Sequence, residues 1–121
     1  MWAVEDIPKT DFLFLRVHRN SLTDEPIPLG VFRDHGDGMS TDWDKYSTPQ
    51  QTQARAKRSL ATDNGVLKLN VGRVREIEGL SVKHTPSLDN QAHTDVFGDK
   101  KAPKVRLKLQ RLAEWVITIE V

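Results

Sequence analysis

An alternating stretch near the middle of the chain sets the first limit on the fold. After the turn signal Asp63–Asn64–Gly65, the run VLKLNVG puts Leu67, Leu69 and Val71 on one side and Val66, Lys68 and Asn70 on the other. Successive side chains of a strand point to opposite faces, so this spacing predicts a strand with one apolar face. A strand of this kind needs neighbours and a layer over its apolar side.

Other segments supply candidates. DFLFLRVHR (Asp11–Arg19) reads as a strand with Phe12, Phe14 and Arg16 on one face. LSVKHT, closed by Pro86, and AHTDVFG, stopped by Gly98, read as two more. TDEPIPLG breaks regular structure, because its two prolines cannot donate to a ladder. GVFRDHGDGMS predicts a short strand running into a glycine-rich turn at His35–Gly38. STPQQTQARAKR predicts a helix, with Ser47 or Thr48 as cap and Pro49 at the first helical position. RVREIEG predicts a turn of helix ending at Gly79.

Two periods compete from Pro103 to about Val116. Val105, Leu107 and Leu109 alternate as in a strand, whereas Val105, Leu109, Leu112 and Val116 repeat as in a helix. The second pattern is longer and follows a proline suited to a helix start, so a helix is expected, with ITIEV returning as a final strand. Together these segments predict an α+β domain: residues 1–121 as a single compact domain, with a mixed or antiparallel sheet of about five or six short strands and two or three helices.

Composition removes several chemistries. The 121 residues include no cysteine, so thiolate catalysis, disulfides and cysteine-bound zinc are excluded. The apolar runs are far shorter than the roughly 20 residues of a membrane-spanning helix, and MWAVEDIPKTD carries acids where a secretory signal carries bases. A soluble cytoplasmic protein without membrane contact is expected. Net charge is only +1, yet Lys100–Arg111 holds six basic residues and no acid. Local charge of one sign matters more to a polyanion than the total does.

HTPSLDNQAHTDVFGDK (His84–Lys100) holds two of the four histidines. Imidazole exchanges protons near neutral pH, so His84 and His93 are candidates for a catalytic acid–base pair if both reach one hollow. The alternative keeps them as partly buried side chains bonded to loop carbonyls or to the Asn90 amide. Metal binding is not expected: DHGD and DWD do not fit a calcium loop, and the histidine segment lacks short ligand pairs. On a helix, Lys101, Lys104, Lys108 and Arg111 form one stripe that Trp115 would extend. Lysines at a helix start oppose the backbone dipole, and a bound anion would relieve that conflict. Neither a G-x-x-x-x-G-K-[ST] loop nor G-x-G-x-x-G is present, so no cofactor is expected.

Two resemblances add expectations. The order of Arg16 and His18 on a strand, then GVFRDHGDGMSTDW, then STPQQTQARA looks like the RES-type ADP-ribosyltransferase domain. That likeness implies Arg16 and Arg33 on the phosphates of a dinucleotide, Ser40 near its nicotinamide end, and Glu114 or Glu120 as the late acid. Over most of the chain after Val31, Met39-Ser40-x-Asp42, then His84-x-Pro86…Asn90-x-Ala92-His93 with Val96 and Gly98, resembles a family of small uncharacterised bacterial proteins. It implies that these positions form the defining site or scaffold, and it implies no activity. The expected role is a non-catalytic binding or accessory subunit, using the polar His/Asn loop and the basic helix, with a protein partner encoded nearby. The alternatives are an enzyme acting on nucleotide or nucleic acid through His84 and His93, or a reduced ADP-ribosyltransferase-like domain.

Overall fold

Phe12–His18 forms β1, and it is the strand around which the sheet is laid. Its register joins Leu13 to both Trp43 and Leu69, so Leu13, Leu15 and Val17 share one face with the apolar residues of both neighbours. The computed structural model describes residues 1–120. The remaining strands are β2 (Met39–Trp43), β3 (Asn64–Asn70), β4 (Ser81–His84), β5 (His93–Phe97) and β6 (Glu114–Ile117). All pairings are antiparallel, in the order β4-β5-β2-β1-β3-β6. With three helices, α1 (Pro49–Ala54), α2 (Val71–Arg75) and α3 (Pro103–Leu112), this is the expected α+β domain in a purely antiparallel form.

One face of the sheet is the core. Leu13, Leu15, Met39, Trp43, Leu67, Leu69, Val82 and Val96 lie there, covered by Val74 and Ile77 near α2 and by Leu109 and Leu112 of α3. The opposite face carries Phe14, Arg16 and His18 of β1 with Ser40 and Asp42 of β2, as strand alternation requires. It is this second face that holds the cleft described below.

The local rules explain most boundaries. Thr48, not Ser47, caps α1: its hydroxyl accepts from Gln51 N at 3.1 Å while Gln51 Oε1 accepts from Thr48 N at 2.9 Å, closing a capping box. The helix stops at Ala54, and Ser47 turns inward to bond Thr52. Asn70 caps α2, so the alternating run yields its last two residues, Val71 and Gly72, to that helix.

Three expectations need correction. GVFRDHGDGMS places its strand after the turn, not before it. Leu29–Val31 is a single 3-10 turn, Gly36 takes φ +71° between His35 and Gly38, and β2 begins at Met39. The helix from Pro103 ends at Leu112 because Ala113 is extended, with ψ 144°. Val116 and Trp115 therefore sit on β6, where Trp115 donates its indole N–H to the Pro26 carbonyl at 2.8 Å rather than extending the basic stripe. The final strand starts at Glu114 and ends at Ile117, earlier than ITIEV suggests; Val121 of that segment lies outside the described residues.

Candidate functional site

The polar face of β1, β2 and β5 floors a cleft of about 590 Å³. Arg16 and His18 rise from β1, Ser40 and Asp42 from β2, and His93 from β5. Thr52 and Arg55, at and just beyond the end of α1, form one side; Arg33 and His35 come from the segment before β2; Asn90 and Asp89 come from the loop before β5. Four cationic side chains (Arg16, Arg33, Arg55, Lys57) and two carboxylates (Asp42, Asp89) line it, an excess of positive charge.

Asp42 organises this site. It is 5% exposed, and its carboxylate accepts from Thr52 Oγ1 at 2.7 Å, Arg55 Nη1 at 2.7 Å and Asn90 Nδ2 at 2.8 Å. One acid thus ties α1 and the β4–β5 loop to the middle of the sheet. Charge-assisted bonds of this kind are the strong ones, and a buried carboxylate needs them. Asn90 is fixed at both ends of its amide, because Oδ1 also accepts from Ala92 N at 3.0 Å. Arg55 is shared between Asp42 and Ser47 Oγ, at 2.8 Å from the latter. Lys57 and Asp89, 3.8 Å apart and mostly exposed, add little.

Arg16 and Arg33 are differently placed. Arg16 uses Nη1 to donate to the Thr52 carbonyl at 3.1 Å and has no carboxylate partner among the described residues. Desolvation in the cleft holds its pKa below the ordinary arginine value; Asp42 opposes this shift and Arg55 reinforces it. Arg33 is exposed on the cleft wall. Its wall is pinned from behind by Lys100, whose buried ammonium pairs with Asp34.

The two histidines expected to act together are on opposite sides of the sheet. His84 belongs to the core face and is 3% exposed. Its Nδ1 accepts from Glu5 N at 3.0 Å and its Nε2 lies 2.7 Å from the Gln91 carbonyl, while its ring meets Trp43 edge-on and stacks on Tyr46. Both nitrogens are occupied, so His84 is a structural side chain and the His84/His93 acid–base pair is overturned. The reason is parity. In the β4–β5 ladder His84 stands opposite Thr94, which places His93, one residue earlier, on the other face.

The structure does bring together Arg16, Arg33, Ser40, Asn90 and His93. It does not bring Lys101, Lys104, Lys108 and Arg111 to them. Those four are exposed on or beside α3, the helix that covers the core face. Glu114 is not in the cleft either; it pairs with Lys68 at 3.3 Å. His18, His35, Asp42, Thr52 and Arg55 complete the site without having been singled out as ligand-binding residues. For Asp42 the visible signal was M-S-T-D-W, whose alternation puts Met39, Thr41 and Trp43 in the core and therefore Ser40 and Asp42 outside it.

Among the described residues no group of three or more histidine or carboxylate side chains gathers to hold a metal ion, and no helix is long and apolar enough to cross a membrane. No protein family, curated protein or solved structure matches this chain.

Proposed function

We propose that this protein binds a phosphate-bearing ligand of nucleotide size in the cleft between α1 and the β4–β5 loop. One observation carries the reading: Arg16, Arg33 and Arg55, from three separate parts of the chain, line a single polar cleft. Planar guanidinium groups match phosphate oxygens bidentately, and three of them at one hollow suit more than one phosphate or a phosphate and its ester. The volume of about 590 Å³ falls in the range of small-molecule sites. Ser40, Asn64 and Asn90 offer neutral polar groups for the sugar or base. An anion would also relieve the desolvated charge of Arg16.

Calorimetric titration with adenosine 5′-diphosphate tests this. Binding should weaken by about tenfold or more in Arg16→Gln and in Arg33→Gln, the size expected for losing a charge-assisted bond, and should fall with added salt. Lys104→Glu with Lys108→Glu, on the far side of the sheet, should leave it unchanged. No binding by the wild-type protein, or wild-type binding by both arginine variants, sinks the proposal.

A second reading, a reduced ADP-ribosyltransferase-like site, has one observation in its favour. Arg16, Arg33 and Ser40, the residues that likeness implies, share the cleft. The late acid it needs is not among the residues lining that cleft. The basic face of α3 is a separate surface, and an acidic protein partner there remains compatible with either reading.

A further inference from the structure

We infer that the cleft is catalytic: His93 is a general base that activates water to hydrolyse a ribonucleotide phosphodiester held by the arginines, an activity that rests on the phosphate-binding reading above. The hydrogen bonds at His93 fix its tautomer. Nδ1 lies 3.0 Å from Thr85 Oγ1 and 3.0 Å from the Thr85 carbonyl oxygen. The carbonyl can only accept. The hydroxyl gives its single proton to Asp95 Oδ2 at 2.9 Å, so towards His93 it too can only accept. Nδ1 must therefore carry the proton, and the lone pair resides on Nε2, which has no partner among the described residues. A histidine that lines a cationic cleft with its second nitrogen engaged behind it is built to exchange a proton at the first.

The surroundings fit the chemistry. His93 is the cross-strand neighbour of Asp42, and Asp42 holds Arg55, so a guanidinium lines the same cleft as His93 and is available to charge that develops on a phosphorane. Thr85 and Asp95 do not line the cleft and act as positioning residues. Asp95 has room only because residue 38 is glycine: a Cβ there would fall 2.9 Å from Asp95 Cβ.

In the step, Nε2 takes a proton from water while the water oxygen forms its bond to phosphorus. The bond from phosphorus to the ester oxygen breaks, leaving its electron pair on that oxygen. The departing oxygen takes a proton from solvent on the opposite side of phosphorus, and the imidazolium releases its own to solvent, so neutral imidazole is restored. The sum is one water added across one P–O bond, with no other reactant.

Two measurements on the intact protein test this. Long-range ¹H–¹⁵N correlation spectra should show neutral His93 as the Nδ1–H tautomer, a readout that needs no variant. With 2′,3′-cyclic AMP as probe and ³¹P detection, the wild-type protein should open the ring. His93→Gln should slow it by about 100-fold or more, and Asp95→Asn should slow it about tenfold and populate the other tautomer. An Nε2–H tautomer in the wild type, absence of hydrolysis, or a wild-type rate in His93→Gln overturns the catalytic assignment. If the diphosphate binds and the cyclic ester is untouched, catalysis alone falls; if neither is recognised, the binding reading falls with it.

Discussion

The Lys100 ammonium lies 2.7 Å from Asp34 Oδ1 and donates to the Val96 carbonyl at 2.8 Å, although the Lys100 side chain is only 1% exposed. This contact fastens the wall that carries Arg33 and His35 to the far end of β5. The two partners are not equivalent. Asp34→Ala strands a buried charge and should cost about 3 kcal/mol, the low end for a broken buried pair because solvent reaches the aspartate side. Lys100→Met removes that charge and leaves one carbonyl unpaired, about 1–2 kcal/mol. Urea denaturation of the two variants should give that order, and the reverse order would show that the ammonium is not held as described.

His84 and His93 should separate cleanly under mutation. His84→Ala removes the acceptor for Glu5 N, the donor to Gln91 O and the ring between Trp43 and Tyr46. A loss of about 2–4 kcal/mol in stability is expected, from the cavity and the unpaired groups together. Affinity for adenosine 5′-diphosphate should be unaffected once the protein is folded. Denaturation and calorimetry on the same preparation check both halves.

Why the sequence pointed to His93 but paired it with the wrong histidine follows from strand parity. The strands themselves were legible, because DFLFLRVHR is dense in β-compatible apolar residues, while SVKH and HTDVF alternate and are stopped near Pro86 and at Gly98. What alternation cannot give is register between strands separated by a loop. A shift of one residue turns every side chain to the other face, and only the pairing of His84 with Thr94 decides which imidazole meets the cleft. Arg16, Arg33 and Ser40 were reached through a resemblance in their order along the chain. Asp42 was reached through the second resemblance as part of a site or scaffold, but its organising contacts were not, because its partners Thr52, Arg55 and Asn90 are brought to it by tertiary packing. In α3 the helical period was read correctly up to Leu112. Beyond it the apolar residues serve equally as strand positions, and pairing with β3 outweighs continuation of the helix.

Two glycines with positive φ should respond differently to alanine. At Gly36, φ is +71° and a Cβ would meet open space, so Gly36→Ala should cost about 1 kcal/mol of backbone strain. At Gly98, φ is +124° and a Cβ would land 2.2 Å from the Gly79 carbonyl oxygen. Gly98→Ala should cost more than about 3 kcal/mol, since strain and overpacking add. Thermal unfolding of the pair resolves the difference; equal costs would mean that the Gly79–Gly98 approach is looser than described.

The segment before β1 is tied down where Glu5 N donates to His84 Nδ1 and the Ile7 carbonyl accepts from Arg75, and its Glu5 contacts should be acid-sensitive. Glu5 accepts from Lys45 Nζ at 2.6 Å and from the Tyr46 hydroxyl, and these bonds, Lys45 first, hold its pKa below the ordinary 4.5. A depressed carboxylate contributes stability that is present above its unfolded value and is lost as pH falls through the folded one. The Glu5 side-chain contacts should therefore persist through the ordinary carboxylate range and be released below it. Tyr46→Phe should move the release upward in pH. Chemical shifts of the His84 ring, whose Nδ1 accepts from Glu5 N, report the event directly.

The cleft floor is drawn from β1, β2 and β5, laid side by side although α1, β3, α2 and β4 come between β2 and β5 in the chain. No amino-terminal fragment that ends before Asn90 can complete the site, because Asp42 then lacks both Asn90 and its ladder neighbour His93. The hollow therefore exists complete only in the folded sheet. A molecule that fills the hollow grips the whole sheet, and protection from global unfolding should rise with its concentration.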